Sequence, residues 1–472
     1  MDDESYTTSP DARLRFSADT VRLDTVISGQ ATNTYTFEVY NPNDKAMRIP
    51  QIYLERGAQS EFRVNVDGTF LEGGSASGFE VAANDSLRVF LFVNMPDQEE
   101  DEAVRTTDNL VFVTEGGLSQ KVALEAYGQS VIPLHAVTLT RDTLLDARRP
   151  YQIFDSLVVG NNVTLTLAAG VRLYFHPEAR LIVHGTVSAE GTADRPVQFR
   201  GDRLGNMFSQ QPYDRIPGQW GGIILTSESY GNKFSFCDIH SGTFGIACDS
   251  SDVQIEKIRL ENSIVHNMSQ DVLSLRNSNA FVGNCQLTNA GGNCVTIRGG
   301  SSTFIHCTIG NFYAFTGDRG VALDFSNADG NIRLPLLQAD FLNCIITGYS
   351  TDEILGSRSE RYPDTPFEYR FRNCLLNTPE FEDEHVENCL WDDESNPVSR
   401  EGNFAPAFDL DQLIFTFGLD SVSVAVNAAD PDITRSYYPT DLNGHDRFAD
   451  GHPDIGCYER QPVSSATDEQ VP

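Results

Sequence analysis

Between positions 249 and 329 the chain offers carboxylates at Asp249, Asp252, Asp271, Asp324 and Asp329, and guanidinium groups at Arg298 and Arg319. Paired carboxylates can share the acid and base roles of glycosidic cleavage. Asp271, Arg298, Arg319 and Asp324 are the set to test for action on a polysaccharide. The competing role is structural, because Asp249, Asp252 and Asp271 neighbour turns, where Asp bonds the backbone. His306 beside Cys307, and His240 three residues after Cys237, have the types of a metal site or a thiolate nucleophile. If Cys307 points inward, strand alternation sends His306 outward, and the two side chains do not meet. The nine cysteines contain no Cys-x-x-Cys pair. Neither a zinc ribbon nor a disulfide framework is expected, and the thiols read as small buried hydrophobes.

Aromatic and cationic side chains offer a second chemistry. Phe312, Tyr313, Phe315, Tyr349, Tyr362 and Trp391, with Arg319, Arg358 and Arg361, fall in or beside long loops. Exposed rings beside arginines suit glycan stacking or a protein interface. The acidic residues of 380–384 and 392–394 are the one place where Ca²⁺ is considered, although they lack the Asp-x-Asp-x-Asp-Gly spacing. No other metal or cofactor is expected.

Composition narrows the partners. The 472 residues carry a formal charge of −33, which disfavours nucleic acid and anionic lipid. Only Lys45, Lys121, Lys233 and Lys257 are lysines, which argues against lysine chemistry. No apolar run approaches the roughly 18 residues of a spanning helix.

The elements that position these residues are all β. Over 12–130 short alternating runs, such as Leu87/Val89/Leu91/Val93, are separated by turn signals, and about seven strands predict a β-sandwich. Residues 1–11 read as a tether. From 131 to 395 helical periodicity is nearly absent, and short strands carry a repeat: Asn284-Cys285, Asn343-Cys344, Asn373-Cys374 and Asn388-Cys389, with Ser263 and Cys307 in related settings. The steps Cys237–Ser263, Ser263–Cys285 and Cys285–Cys307 are 26, 22 and 22 residues. A second apolar column, Leu225, Cys248, Leu275, Ile297 and Leu323, keeps a similar period. Two columns sharing one period predict a parallel β-helix whose coils bury like residues above one another. Longer intervals place loops near 202–217, 316–319, 329–335 and 357–366. Residues 396–460 read as completion and cap of the solenoid, and 461–472 as a disordered tail.

Val163–Phe175 with Gly185–Phe199 and then Gly218-Gln219-Trp220-Gly221-Gly222-Ile223 resembles the opening coils of right-handed parallel β-helix proteins of Bacteroidetes-type bacteria. The ending Asp441-Leu442-Asn443-Gly444-His445-Asp446-Arg447 with Pro453-Asp454-Ile455-Gly456-Cys457-Tyr458-Glu459 resembles their terminal motif. Residues 12–130 are similar to the immunoglobulin-like modules placed ahead of such helices, and the acidic start resembles that of surface lipoproteins. The resemblance implies an immunoglobulin-like sandwich, then a right-handed helix of the pectate-lyase fold. It also implies a lipid anchor where Met1 stands for a native cysteine, and an outer-membrane, cell-surface location. Pectate-lyase types would need a Ca²⁺-binding carboxylate cluster and a basic Arg or Lys. Polygalacturonase-like enzymes would need Gly-His-Gly and Arg-x-Lys, which this chain lacks. The expected function is a non-catalytic scaffold binding a glycan or another outer-membrane protein, including an export or assembly machine. The alternative is a polysaccharide lyase or glycoside hydrolase.

Overall fold

A computed structural model describes residues 6–30, 32–208, 211–392 and 398–461. Met1, Glu394 and the tail from 462 lie outside them. The chain divides into two compact units, 1–132 with 204–207, and 133–203 with 208–472. No helix among the described residues is long and apolar enough to cross a membrane.

The first unit is a sandwich of two five-stranded sheets. One contains Tyr35–Tyr40, Ser86–Val93 and Phe62–Val66; the other contains Thr20–Ile27, Ser119–Gln129, Val104–Val113, Met47–Leu54 and Ser75–Val81. Alternation sends Phe37, Val39, Phe62, Val64, Val89, Leu91, Phe112 and Leu124 into one core. Ten strands are present among the described residues where about seven were expected. Arg15–Phe16 and Thr69–Phe70 are two residues long and too short to show alternation.

In the second unit 26 strands join one sheet system, and the inter-coil pairings are parallel. Each full coil has three faces. The first includes Gly222–Leu225 and Ile246–Cys248, the second Asn232–Ser235 and Glu256–Glu261, and the third Cys237–His240, Ile264–Met268, Gln286–Ala290, Thr308–Asn311 and Ile345–Gly348. These residues wind rather than zigzag because the corner between second and third faces repeats one backbone state. Phe236, Asn262, Asn284, His306, Asn343, Asn373 and Asn388 all have φ between 49° and 55°. Asn tolerates this left-handed region far better than branched residues do, which explains the Asn of the repeat. The next residue turns inward and stacks. Cys285 and Cys307 lie one above the other, flanked by the pairs Gly283/Ile305 and Gln286/Thr308. The Cys307 and Cys344 amides approach the Sγ of Cys344 and Cys374 at 3.5 and 3.4 Å. A ring stack, Phe304–Phe341–Phe371, runs beside them at 4.8 and 5.0 Å. Each such buried ring contributes about 1.5–3 kcal/mol by leaving water.

Two expectations change. Ile297 pairs with Phe325, while Leu323 pairs with Val295, so the second column continues through Phe325. His306 sits at a positive-φ corner, where strand alternation does not apply, and it is buried. Its Nε2 is 2.9 Å from Thr434 Oγ1 and its Nδ1 3.2 Å from the Gly456 carbonyl.

Residues 398–461 run back along the third face. Phe404, Phe417, Leu419, Ala425 and Ile455 join Phe312, Ile345 and Leu375 in a separate apolar cluster. The short helix Pro431–Tyr437 is capped by Asp430, whose backbone N–H donates to Asn343 Oδ1 at 2.8 Å. Tyr438 donates to Glu261 at 2.6 Å. That approach requires Gly283, since a Cβ there would lie 1.9 Å from the Tyr438 hydroxyl.

Candidate functional site

The outer side of the third face changes character along the stack. At Ile345 and Leu375 it is apolar and covered by 398–461. Toward earlier coils it carries Asp238, His240, Ile264, His266, Gln286 and Thr288, because the intervening Ile239, Val265 and Leu287 point inward. Here the C-terminal segment stands off and leaves a cleft of about 810 Å³. Its lining includes His266, Asn267, Gln286 and Asn289 from the coils, Arg215 from the 211–217 loop, and Phe415, Tyr458, Glu459 and Arg460 from the C-terminal segment. That volume lies within the range of small-ligand sites.

At one end the cleft meets a dense polar group. His240 Nδ1 is 2.8 Å from Asp238 Oδ1, and His240 Nε2 is 2.6 Å from Asp214 Oδ1. His266 Nε2 is 3.4 Å from the same Asp238 oxygen, and Arg200 approaches Asp214 at 3.0 Å. Burial alone would push the His240 imidazolium toward neutrality, but Asp238 and Asp214 outweigh it and raise the group to about 10. Burial works against the Asp238 carboxylate too, yet His240 and His266 hold it well below the usual range. The two carboxylates thus favour the imidazolium form, one facing each ring nitrogen.

The C-terminal wall is built by the terminal motif. Arg447 is fully buried; it donates to Asn284 Oδ1 at 2.8 Å and to the Gly456 carbonyl at 3.0 Å. Asp441 accepts from the amides of Asn443, His445 and Glu459. Glu459 accepts the Asp454 amide at 3.0 Å. Burial, then Asp454, pushes the Glu459 carboxyl up to about 8. The 3.5 Å approach of Arg447 to Glu459 is thus a weak polar contact at neutral pH rather than a full ion pair. The Tyr458 hydroxyl donates to Gln286 at 2.8 Å, tying wall to floor.

The sequence-derived candidates lie elsewhere. Asp271, Arg298 and Asp324 share the first-face side of successive coils, joined through Asn293. Arg298 donates to both Asp324 oxygens, at 3.0 and 2.6 Å, and is held in that pair. Asp271 caps a corner through the Asn293 amide at 2.9 Å. Arg319 is a correction: its side chain is 10% exposed and paired with the fully buried Glu353 at 3.3 Å, stitching two coils. Tyr313 is also buried, and Phe312 lies at the heart of the C-terminal apolar cluster. Tyr349 is half-buried edge-on against Phe312 at 5.0 Å, leaving Phe315 exposed. Trp391 pairs with the inward Leu376 and lies partly buried against the solenoid core. Arg358, Arg361 and Tyr362 remain at the surface, where Tyr362 and Arg361 bond Asn331 of the neighbouring loop. Of the acidic residues considered for Ca²⁺, Asp392 is buried and bonds Thr347, Asn403 and the Arg400 amide.

Sequence reasoning missed Asp238 and His266, and it considered His240 only beside Cys237. The signal was present: His240 and His266 are 26 residues apart, the same step as Cys237 to Ser263. The columns had been traced through inward residues alone.

No protein-family model and no curated protein matches this chain. Among solved structures, a GH87 α-1,3-glucanase catalytic unit from Streptomyces thermodiastaticus is 12% identical, with 75% of each chain covered and a TM-score of 0.32. A family 123 glycoside hydrolase from Clostridium perfringens is 5% identical over 24% of this chain and 25% of its own, with a TM-score of 0.17. A PapD-like domain of human CEP192 is 11% identical over 26% of this chain and 89% of its own, also with a TM-score of 0.17. The β-helix assignment rests on the parallel strand pairing itself.

Proposed function

We propose that this protein is directed at carbohydrate and that the cleft on the third face takes a neutral glycan. The observation that carries this reading is the make-up of the cleft. Arg215, His266, Asn267, Gln286 and Asn289 give it a polar lining, and Phe415 supplies a ring on which a sugar face can stack. A chain of net charge −33 repels polyanions, which favours neutral over uronic-acid glycans.

Of the two functional readings, hydrolysis gains on the inert scaffold through Glu459. Glu459 lines the cleft, and burial, then Asp454, raises its carboxyl to about 8, the direction that the acid of a glycosidic cleavage needs. The test is binding and reducing-end release across a panel of neutral and uronic-acid glycans. Phe415→Ala is expected to weaken binding of a neutral glycan at least tenfold. Glu459→Gln is expected to abolish release while binding persists. If no neutral glycan binds at millimolar concentration, the reading fails; if one binds without release, the function is recognition.

The finer architecture belongs to the same proposal: a right-handed winding, an immunoglobulin-like N-terminal sandwich, and a lipid anchor at the position of Met1 holding the protein on an outer membrane. The terminal motif at 441–459 and the acidic start support it through resemblance. Metabolic labelling of the natural precursor with a radioactive fatty acid tests the anchor, and absence of label removes it. The partner, if not a glycan, is another outer-membrane protein, which affinity capture from membrane extract would return in stoichiometric amount.

A further inference from the structure

The strands Cys237–His240 and Ile264–Met268 pair in parallel, with His240 opposite His266 and Asp238 opposite Ile264. Alternation therefore brings Asp238, His240 and His266 out on one side of two adjacent coils. Their ligand atoms all lie within 4.8 Å of one another, and the two imidazole rings are 5.2 Å apart. The remaining His240 nitrogen is engaged by Asp214 at 2.6 Å.

We propose that Asp238, His240 and His266 bind one divalent transition-metal ion of the zinc class, with Asp214 as the outer carboxylate that orients His240. The inference is independent of what the cleft binds. Two imidazole nitrogens and one carboxylate oxygen form a donor set for zinc and its first-row neighbours, whereas Ca²⁺ and Mg²⁺ prefer oxygen alone. With Nε2 of His240 directed at Asp214, Nδ1 is the nitrogen that faces Asp238 and His266, and an ion bound there would take the place of any proton on it. This is the carboxylate–histidine–metal relay found around many metal sites. The parallel register fixes all three ligands on a rigid sheet, so little chain ordering opposes binding. The His240 side chain is 5% exposed and that of His266 25%. The ion would sit against the sheet with its remaining coordination position toward the cleft that His266 borders.

The test uses the full chain, stripped with chelator, titrated calorimetrically with Zn²⁺ and with Ca²⁺, and analysed for metal after gel filtration. One Zn²⁺ per chain is expected, with no Ca²⁺ retained. Co²⁺ in its place is expected to give the visible bands of a four- or five-coordinate site. His266→Ala, at the more exposed ligand, should lower Zn²⁺ affinity at least 100-fold with the circular dichroism spectrum unchanged. Asp214→Asn should lower it about 10- to 100-fold, and His452→Ala, at an exposed histidine, should leave it unchanged. Failure of the parent protein to hold Zn²⁺ through gel filtration overturns the site. So does parental affinity in His266→Ala.

Discussion

Replacing Arg447 with Leu should release the C-terminal segment from the solenoid. Two of its hydrogen bonds are short, to Asn284 Oδ1 at 2.8 Å and the Gly456 carbonyl at 3.0 Å. Two are long, to the Asp454 carbonyl at 3.4 Å and Glu459 at 3.5 Å, and are counted as nothing. At about 2 kcal/mol for each short bond from a charged donor, the loss is about 4 kcal/mol. Each 1.4 kcal/mol is tenfold, so local opening of 398–461 should rise by roughly three powers of ten. Proteolysis of the folded protein reads that opening directly when reclosing is faster than cleavage. Mass analysis should place the new cuts within 398–461 while the coils stay intact. Both short bonds leave one terminal nitrogen; the Arg447→Lys ammonium sits one bond nearer the backbone than that nitrogen, falls short of the acceptors, and should recover only part of the loss. A cleavage rate for Arg447→Leu within threefold of the parent would refute the reasoning. Full recovery by Lys would refute it too, by showing that charge rather than geometry holds the segment.

Three further outcomes are expected. Glu459 has an ordinary value near 4.5 and is raised to about 8 in the fold, so its contribution is complete below pH 4.5 and lost as pH climbs through 8. Denaturant melts of metal-free Glu459→Gln should therefore lose that part of the parent's decline between pH 4.5 and 8, and a parental slope would contradict the assignment. Eight of the nine thiols are buried and Cys389 is half-exposed. A disulfide-exchange reagent should find at most one fast thiol in the native protein and nine in denaturant; several fast native thiols would rule out the stacked interior. Asn373 holds φ 51° and its Oδ1 has no hydrogen-bond partner, so its conformational preference can be separated from bonding through that atom. Asn373→Ala should cost about 1–2 kcal/mol in chemical denaturation and Asn373→Gly clearly less; equal costs would deny a conformational role.

The winding was legible because its cause is local and repeated. An Asn that tolerates positive φ, followed by an inward Cys, recurs at the corner of many coils, and its spacing is the coil length. Leu323 and Phe325 lie two residues apart on one face of the strand, so alternation alone cannot tell which of them continues the column. Tyr313, Arg319 and Trp391 read as surface groups because residue type near a long interval does not reveal what folds back over it. Arg319 is buried because Glu353, Ser350 and Tyr349, all distant from it in sequence, close around it. The cleft was invisible for a related reason. One wall comes from Phe415, Tyr458 and Glu459, more than a hundred residues from the Gln286 and His266 of its floor, and no period connects them. The histidine pair was recoverable, since the 26-residue step applies to outward residues as much as to inward ones.

X-ray diffraction from Zn²⁺-grown crystals, collected at the zinc absorption edge, tests both the coil register and the site it creates. The account requires one strong anomalous peak per chain, bonded to His240 Nδ1, His266 Nε2 and Asp238 at about 2.0–2.2 Å, with the two histidines on adjacent coils. Density that sets His240 and His266 on coils that do not touch, or zinc found only at other surface residues, would contradict it.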